Sequence, residues 1–263
     1  VYCQKGSKGL KQNRYQKRVY RHWIKSGDFI KTHVVIEQTD LLILSKTCLD
    51  LKFIKQRIGC LRQDIKDYII QDKRFKDSLK PIAIELNAPP IIKMMSEASK
   101  ACNVGPMAVV AGSIAQLLAR DLEDRGHTEL IIENGGDIYL SKQKKNRSIA
   151  IFAGKSKFSG KLNLLVKASQ TPCGICASSA TFGHSLSFGN ADSVVIFAKS
   201  AALADAVATA TCNLVKSKND FKTGIDFAKK IPQVFGAVII LEDHLVTWGN
   251  IEIKNFRRGN KRI

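Results

Sequence analysis

The sequence predicts a single α+β domain of mixed α/β character, and three observations carry that expectation. Short apolar runs bounded by polar or glycine-containing turns recur along the chain as strand signals. Between them, apolar residues at spacings of three and four mark amphipathic helices. No repeat or low-complexity linker divides the two kinds of element, so strands and helices are expected to share one core.

Residues 1–18 are basic, rich in Gly and Gln and without apolar period, and are expected to form a flexible arm. The domain is expected over residues 19–255, with a basic tail at 256–263. Val34-Val35-Ile36 and Leu41-Leu42-Ile43-Leu44 flank Glu37-Gln38-Thr39-Asp40 and read as a hairpin. Leu51, Ile54, Ile58, Leu61, Ile65, Tyr68 and Ile69 then predict a helix over 50–71. Prolines 81, 89 and 90 punctuate the connection after it. A second helical region begins near Ile91, breaks at Gly105-Pro106, and restarts with Pro106 in its first turn. Its continuation, Met107 to Leu122, is apolar almost all round and is expected to be buried. Leu130-Ile131-Ile132 is a strand that resumes at Ile138-Tyr139-Leu140. Further strands are expected at 149–153, 162–167, 193–198, 237–241 and 245–248, with a small-residue helix over 201–213.

Composition excludes several classes. With 263 residues and 44% apolar content the chain is long enough to hide roughly 70–75% of its unfolded surface, which rules out disorder as its main state. No apolar run approaches the ~20 residues that span a bilayer; the longest, Pro106 to Ala119, contains Gly112, Ser113 and Gln116, so no membrane association is expected. Seven scattered cysteines and the lack of an apolar leader segment point to a reducing, cytoplasmic setting. The net charge of +19 sits at the ends: residues 1–84 carry +11, 85–213 only +3, and 214–263 carry +5. The basic arm lacks interleaved aromatics or a recognised module, which argues against nucleic acid and leaves a solvated basic surface, with steering of an anionic ligand as its use.

Three stretches carry candidate chemistry. In Asn134-Gly135-Gly136-Asp137 two glycines allow positive φ and a close backbone approach, their amides suit an anion, and Asp137 suits a metal or a ligand hydroxyl. A plain Asn-Gly hairpin turn accounts for the tetrapeptide equally well. Thr171 to Gly189 concentrates Ser178, Ser179, Thr181, Ser185 and Ser187 with glycines and His184, and is expected to be a substrate-lining loop. His184 is the candidate to orient or protonate a substrate group. Cys173 and Cys176 form a CxxC, yet zinc needs two further ligands that the neighbourhood does not supply, so packing is the better reading. On the helix, Asp205 and Thr209 are four residues apart and share a face, two hard oxygen donors of the kind that hold Mg²⁺. A buried small-residue helix with an acidic residue near its start is the alternative.

The order of these motifs resembles the ApbE-like superfamily of FAD:protein FMN transferases, and in particular its uncharacterised-protein branch. Glu133 to Ile138 match ENGGDI, Ser178 to Asp192 match SS-x-T-x-GHSLSFG-x-AD, and Ala202 to Thr209 match ALADAxAT. The likeness extends to residues 39–43 and 104–108 and covers most of 14–250. It implies one domain of mostly antiparallel or mixed sheets packed by helices, Mg²⁺ on Asp205 and Thr209, and FAD or FMN as cofactor or substrate. It further implies a flavin or phosphate pocket that includes Asn134, Gly135, Gly136, Asp137, Ser178, Ser179 and Thr181, His184 as the catalytic residue, and a partner protein whose Ser or Thr accepts FMN. Among partners, a second copy of the chain in a homo-oligomer is left open beside the small molecule and the acceptor protein. Where the transferases follow their histidine with an acidic residue and a proline, this chain has Ser185-Leu186-Ser187-Phe188-Gly189, and their Gly-Lys-Gly-Tyr-type signature is replaced near Gly105 to Gly112 by a segment without lysine. Both departures fall on flavin recognition.

Three function classes are therefore open: a magnesium-dependent enzyme on a phosphorylated or nucleotide-like molecule, a binding protein that keeps the pocket without turnover, and a nucleic-acid accessory suggested by charge alone.

Overall fold

The structure, a computed structural model, describes Arg21, residues 27–181 and residues 187–255. The expected arm at 1–18 and tail at 256–263 lie outside the described residues. Strand β1 (Ile30–Ile36) turns through Glu37-Gln38 into β2 (Thr39–Ser45), whose residues are all buried. Helix α1 (Leu51–Gln71) starts where the Asp50 carboxylate accepts from the amides of Lys52 and Phe53, at 2.8 and 3.1 Å, a side-chain cap of the kind that replaces missing intrahelical bonds. Its apolar stripe, Ile54, Ile58, Leu61, Ile65 and Tyr68, is the one the period predicts. A one-turn helix α2 (Arg74–Asp77), helix α3 (Pro90–Cys102) and helix α4 (Val110–Asp124) come next. A 3₁₀ turn at Pro106–Val109 leads into α4.

Strands β3 (Ile131–Asn134) and β4 (Asp137–Leu140) form the next hairpin. The chain then leaves for β5 (Arg147–Ala150) and β6 (Leu162–Val166), and returns as β7 (Cys173–Ser178), β8 (Ser193–Ala198), α5 (Ala201–Leu214), α6 (Phe221–Lys230), β9 (Val234–Leu241), β10 (His244–Gly249) and β11 (Glu252–Asn255). Eight strands make one antiparallel sheet in the order β1-β2-β3-β4-β7-β8-β9-β10, and β11-β6-β5 make a smaller antiparallel sheet.

The large sheet separates two apolar layers. On one face Ile132, Cys176, Val194, Ile196 and Ile239 pack with the helices. On the other, Leu140, Cys173, Ile175, Phe197, Val238 and Ile240 pack with Ile151, Leu162, Leu164 and Val166 from the region of the small sheet. No single helix among the described residues is long and apolar enough to cross a membrane. Met107 to Leu122 is buried for most of its length, as its composition predicts.

One expectation is overturned. Residues 171–189 are not a loop throughout: Cys173–Ser178 is an inner strand of the large sheet, bonded to β4 on one side and β8 on the other. Its small residues are there because α5 lies against it. A Cβ on Gly174 would sit 2.3 Å from Ala201 Cα and 2.4 Å from Ala201 N, far inside contact distance. A strand of this composition lacks the β-branched and aromatic residues that usually announce one. The short α6 and β11 also go unannounced in the sequence, and the strand expected at 149–153 ends at Ala150.

Candidate functional site

The β3–β4 turn is tight because Asn134 pairs directly with Asp137, leaving Gly135 and Gly136 as its only central residues, at φ +70° and +108°. Two successive positive φ values are what a two-residue hairpin with the sheet's own twist requires, and glycine adopts them without strain. The hairpin reading of the tetrapeptide is therefore correct. The turn also aims its flanking residues: Asn134 and Asp137 are both buried at its base. Gly135 is exposed, whereas the Gly136 amide donates to Glu133 Oε1 at 2.8 Å and is not left open for an anion.

Helix α5 brings the second half of the site. Ser200 Oγ accepts from the Leu203 amide to start it, and Gln116 Oε1, reaching across from α4, accepts from Ser200 Oγ and Ala201 N at 2.8 Å and from Ala202 N at 3.3 Å. These are first-turn amides that a helix cannot satisfy by itself. Gly112 of α4 lets the two helices close: a Cβ there would lie 2.5 Å from Ala201 O and 3.0 Å from Asp205 Cβ. At this contact the Gly112 amide donates to Asp205 Oδ2 at 3.0 Å, and one residue earlier Asn134 Nδ2 donates to Ala111 O at 3.2 Å. The start of α4 is thus the hub that joins the β3–β4 turn to α5.

Asp205 and Thr209, at 8% and 7% exposure, lie four residues apart on α5, and Asp137 at 7% approaches from β4. Burial pushes the Asp205 carboxyl well above its usual range, the charge of Asp137 pushes it further, and the Gly112 amide acts in the opposite direction. Cys176 on β7 belongs to the same spot: burial first, then the charges of Asp137 and Asp205, lift its thiol well above normal, and its Sγ donates to Ala201 O at 3.2 Å. A thiol held protonated is a poor ligand and nucleophile. The cluster therefore offers hard oxygen donors, two carboxylates and a hydroxyl, which is the chemistry of Mg²⁺ shared with water and phosphate oxygens rather than of a thiolate metal. Among the described residues no group of three or more His, Cys, Asp or Glu is arranged to hold a metal, so such an ion would need oxygens from its ligand.

The CxxC does not act as a unit. Cys173 and Cys176 are both buried free thiols on β7, but the first packs in the layer facing the small sheet and the second in the helical layer. Side chains three apart on a strand point to opposite faces, so the two sulfurs cannot meet.

The serine-rich segment meets α5 at both of its described ends, through Ser178 and through Ser187. Ser178, the last residue of β7, is buried near Cys212; burial raises the Cys212 thiol overall, and the hydroxyls of Ser187 and Ser178 act against that rise. Cys212 continues the stripe Asp205–Thr209 along α5. Ser187 Oγ donates to Cys212 Sγ at 3.2 Å, and Phe188 N donates to Asn213 Oδ1 at 2.8 Å. Ser179 and Thr181 are committed elsewhere: their hydroxyls are 3.4 Å apart, and Thr181 Oγ1 donates to Asp192 Oδ1, whose other oxygen accepts from Glu242 N at 2.6 Å. His184 lies in residues 182–186, outside the described residues.

Gly112, Gln116 and Cys176 are not among the site residues that the sequence predicts. The signal available for the first two is a glycine and a glutamine inside an otherwise apolar helix, where each demands a packing or bonding reason.

A family model described as AbpE bacteria matches residues 21–231. A UPF0280 protein of Methanocaldococcus jannaschii is 36% identical over 240 residues, 89% of this chain and 96% of that protein. A UPF0280 protein of Methanothermobacter thermautotrophicus is 40% identical over 194 residues, 72% of this chain and 75% of that protein. Among solved structures, the flavin transferase ApbE from Vibrio cholerae superposes with a TM-score of 0.56 at 14% identity, covering 84% of this chain and 97% of that one. The flavinyl transferase ApbE of Pseudomonas stutzeri gives 0.56 at 12% identity, covering 84% and 94%. At these identities the superpositions establish a shared fold.

Proposed function

This chain belongs to the AbpE bacteria family, and from that premise we propose that it is a magnesium-dependent enzyme acting on a flavin nucleotide or a related phosphorylated small molecule. The observation that carries the proposal is that Asp205, Thr209 and Asp137 are all more than nine-tenths buried, with Asp205 and Thr209 one turn apart on α5 and the charge of Asp137 raising the Asp205 carboxyl. Two acids in one dry site are costly for each other, and a divalent cation between them removes the cost. Thr209 adds a neutral oxygen on the same helix face. The solved structures of similar fold are flavin transferases, which makes FAD the first substrate to try.

Asp205 and Thr209, with Asp137 opposite, would hold the ion. Bound there, Mg²⁺ supplies a Lewis acid for phosphoanhydride oxygens. Everything else falls to the chain. The Gly112 amide fixes one oxygen of Asp205 and so sets the rotation of its carboxylate. Asn134 ties the glycine turn to α4, which keeps Asp137 facing α5. Because Asp205 must give up its proton to bind a cation, affinity for the ion rises with pH. In flavin transfer a hydroxyl oxygen of an acceptor protein bonds to the FMN phosphorus, the anhydride bond of FAD breaks, AMP leaves and the hydroxyl proton is released. His184 is the proposed proton carrier, from its place in the sequence.

The test is titration of the full chain with Mg²⁺ by calorimetry, followed by incubation with FAD, Mg²⁺ and a cell lysate, reading AMP release and FMN-sized adducts by mass spectrometry. Asp205→Asn and Thr209→Val are expected to abolish Mg²⁺ binding while the far-UV spectrum is unchanged. Wild-type affinity in both variants defeats the assignment. The replacement of the transferases' acidic residue and proline by Ser185-Leu186-Ser187 favours a second reading, a binding protein without turnover. Stoichiometric binding of FAD that is recovered intact after long incubation selects it.

A further inference from the structure

On the outer side of the β3–β4 turn, away from α5, lies a second ionic cluster that the proposed chemistry does not use. Arg21 reaches it from ahead of β1. Its Nη1 donates to Asp40 Oδ1 at 2.5 Å, its Nη2 to Asp40 O at 2.8 Å, and its Nε to Glu133 Oε2 at 2.6 Å. His33 Nε2 stands 2.7 Å from the same Asp40 oxygen. Arg21 is only 11% exposed, and Asp40 and Glu133 are 2% and 5% exposed. Such burial is well beyond what a surface ion pair shows, and two carboxylates this deep need a counter-charge.

The cluster is connected to the site through one residue. Glu133 uses Oε2 for Arg21 and Oε1 for the amide of Gly136, so a single carboxylate spans the guanidinium and the turn. Gly136 at φ +108° immediately precedes Asp137. A two-glycine turn is the most permissive kind of backbone, and the buried residue it delivers, Asp137, acts by its charge on Asp205. Something must therefore restrict it from outside, and the guanidinium fork, which can serve Asp40 and Glu133 simultaneously, has the geometry to do so.

We propose that Arg21 is a positioning residue: through Glu133 it locks the Gly135–Gly136 turn and thereby sets the position of Asp137 in the cation site. The proposal rests on the metal reading above for its consequence, and on the turn alone for its mechanism. Arg21→Lys keeps the charge, and with it the fold, but a single ammonium cannot make the fork's separate bonds to Asp40 and Glu133. Arg21→Met removes the charge as well. Arg147→Lys is the control, since Arg147 Nη2, on β5 of the small sheet, and Glu129 Oε2, ahead of β3, form a comparably buried pair at 2.8 Å.

Two readouts are needed, hydrogen exchange of the Gly136 amide by NMR and Mn²⁺ binding by electron paramagnetic resonance, both on the full chain. Arg21→Lys is expected to speed Gly136 exchange at least tenfold and to weaken Mn²⁺ binding about 10–100-fold, the range seen when an outer partner of a metal ligand is lost. Arg147→Lys is expected to move neither. Wild-type values of either readout in Arg21→Lys overturn the proposal, and so does an equal change in Arg147→Lys, which would mean general loosening. If Arg21→Met does not fold, Arg21→Lys alone decides. If the wild-type protein does not bind Mn²⁺, the metal reading fails, and the lock is judged on the Gly136 amide: unchanged protection in Arg21→Lys overturns it, and lost protection supports it.

Discussion

Replacing Gly112 by alanine tests whether backbone contact between α4 and α5 builds the site. The added Cβ would stand 2.5 Å from Ala201 O, 2.8 Å from Ala201 C and 3.0 Å from Asp205 Cβ, where ordinary contact begins near 3.4 Å. The helices must therefore part by about 0.9 Å at this point. Overpacking of this kind costs about 1–3 kcal/mol. Alanine returns roughly 0.5–1 kcal/mol of that through helix propensity, leaving a net loss of up to about 2.5 kcal/mol. For a domain of this size that lowers Tm by up to about 10 °C. Gly59 of α1 has nothing within 4 Å of an added Cβ, so Gly59→Ala feels the propensity alone and gains about 0.5–1 kcal/mol. Urea unfolding followed by circular dichroism measures both. Parting the helices also lengthens the bond from Gly112 N to Asp205 Oδ2, so Mg²⁺ affinity falls in the first variant and is unchanged in the second. Equal stability of Gly112→Ala and Gly59→Ala would refute the close approach of the two helices and everything built on it.

Asp205→Asn should trade binding for stability. The folded carboxyl is raised above its ordinary value of 3.8, so the folded state keeps a proton that the unfolded chain releases, and metal-free stability falls as pH rises through the folded value. The urea midpoint of the variant should therefore exceed that of wild type by a margin that widens with pH and vanishes in acid; a margin constant with pH counts against the buried pair. Gln116→Leu keeps the volume but leaves the amides of Ala201 and Ala202 without their acceptor, a loss of about 2–4 kcal/mol. A loss below about 0.5 kcal/mol in the same urea assay would mean that Gln116 does not cap α5.

Much of this molecule is legible in the chain where burial is periodic or a polar turn separates two apolar runs. The stripe from Ile54 to Tyr68 declares itself because α1 has one wet and one dry side, and the first hairpin because Glu37-Gln38 breaks two runs of β-branched and aliphatic residues. Strand β7 does not, since its side chains are held small by the backbone of α5, so it reads as a small-residue loop. The site divides the same way. Asp205 and Thr209 are visible as a spacing on one helix, and the glycine turn as a turn. The bonds that assemble them are not, because Gly112 meets Asp205 across 93 residues and Arg21 meets Glu133 across 112. Local pattern carries no information about such partners.

The backbone of Ala201 is pinched from two directions, by Gly112 of α4 and by Gly174 of β7, with Gln116 closing over its amide. Three stretches of chain, each tens of residues from the next, must all be in place before that one position exists. Asp205 stands one helical turn beyond it, so no partly folded form can present the pair of carboxylates in working order. The proposed cation is consequently a ligand of the completed fold alone. At a concentration a hundredfold above its dissociation constant it would add about 2.7 kcal/mol to the stability of the whole domain, and the cell's supply of that ligand would then set how long the protein survives.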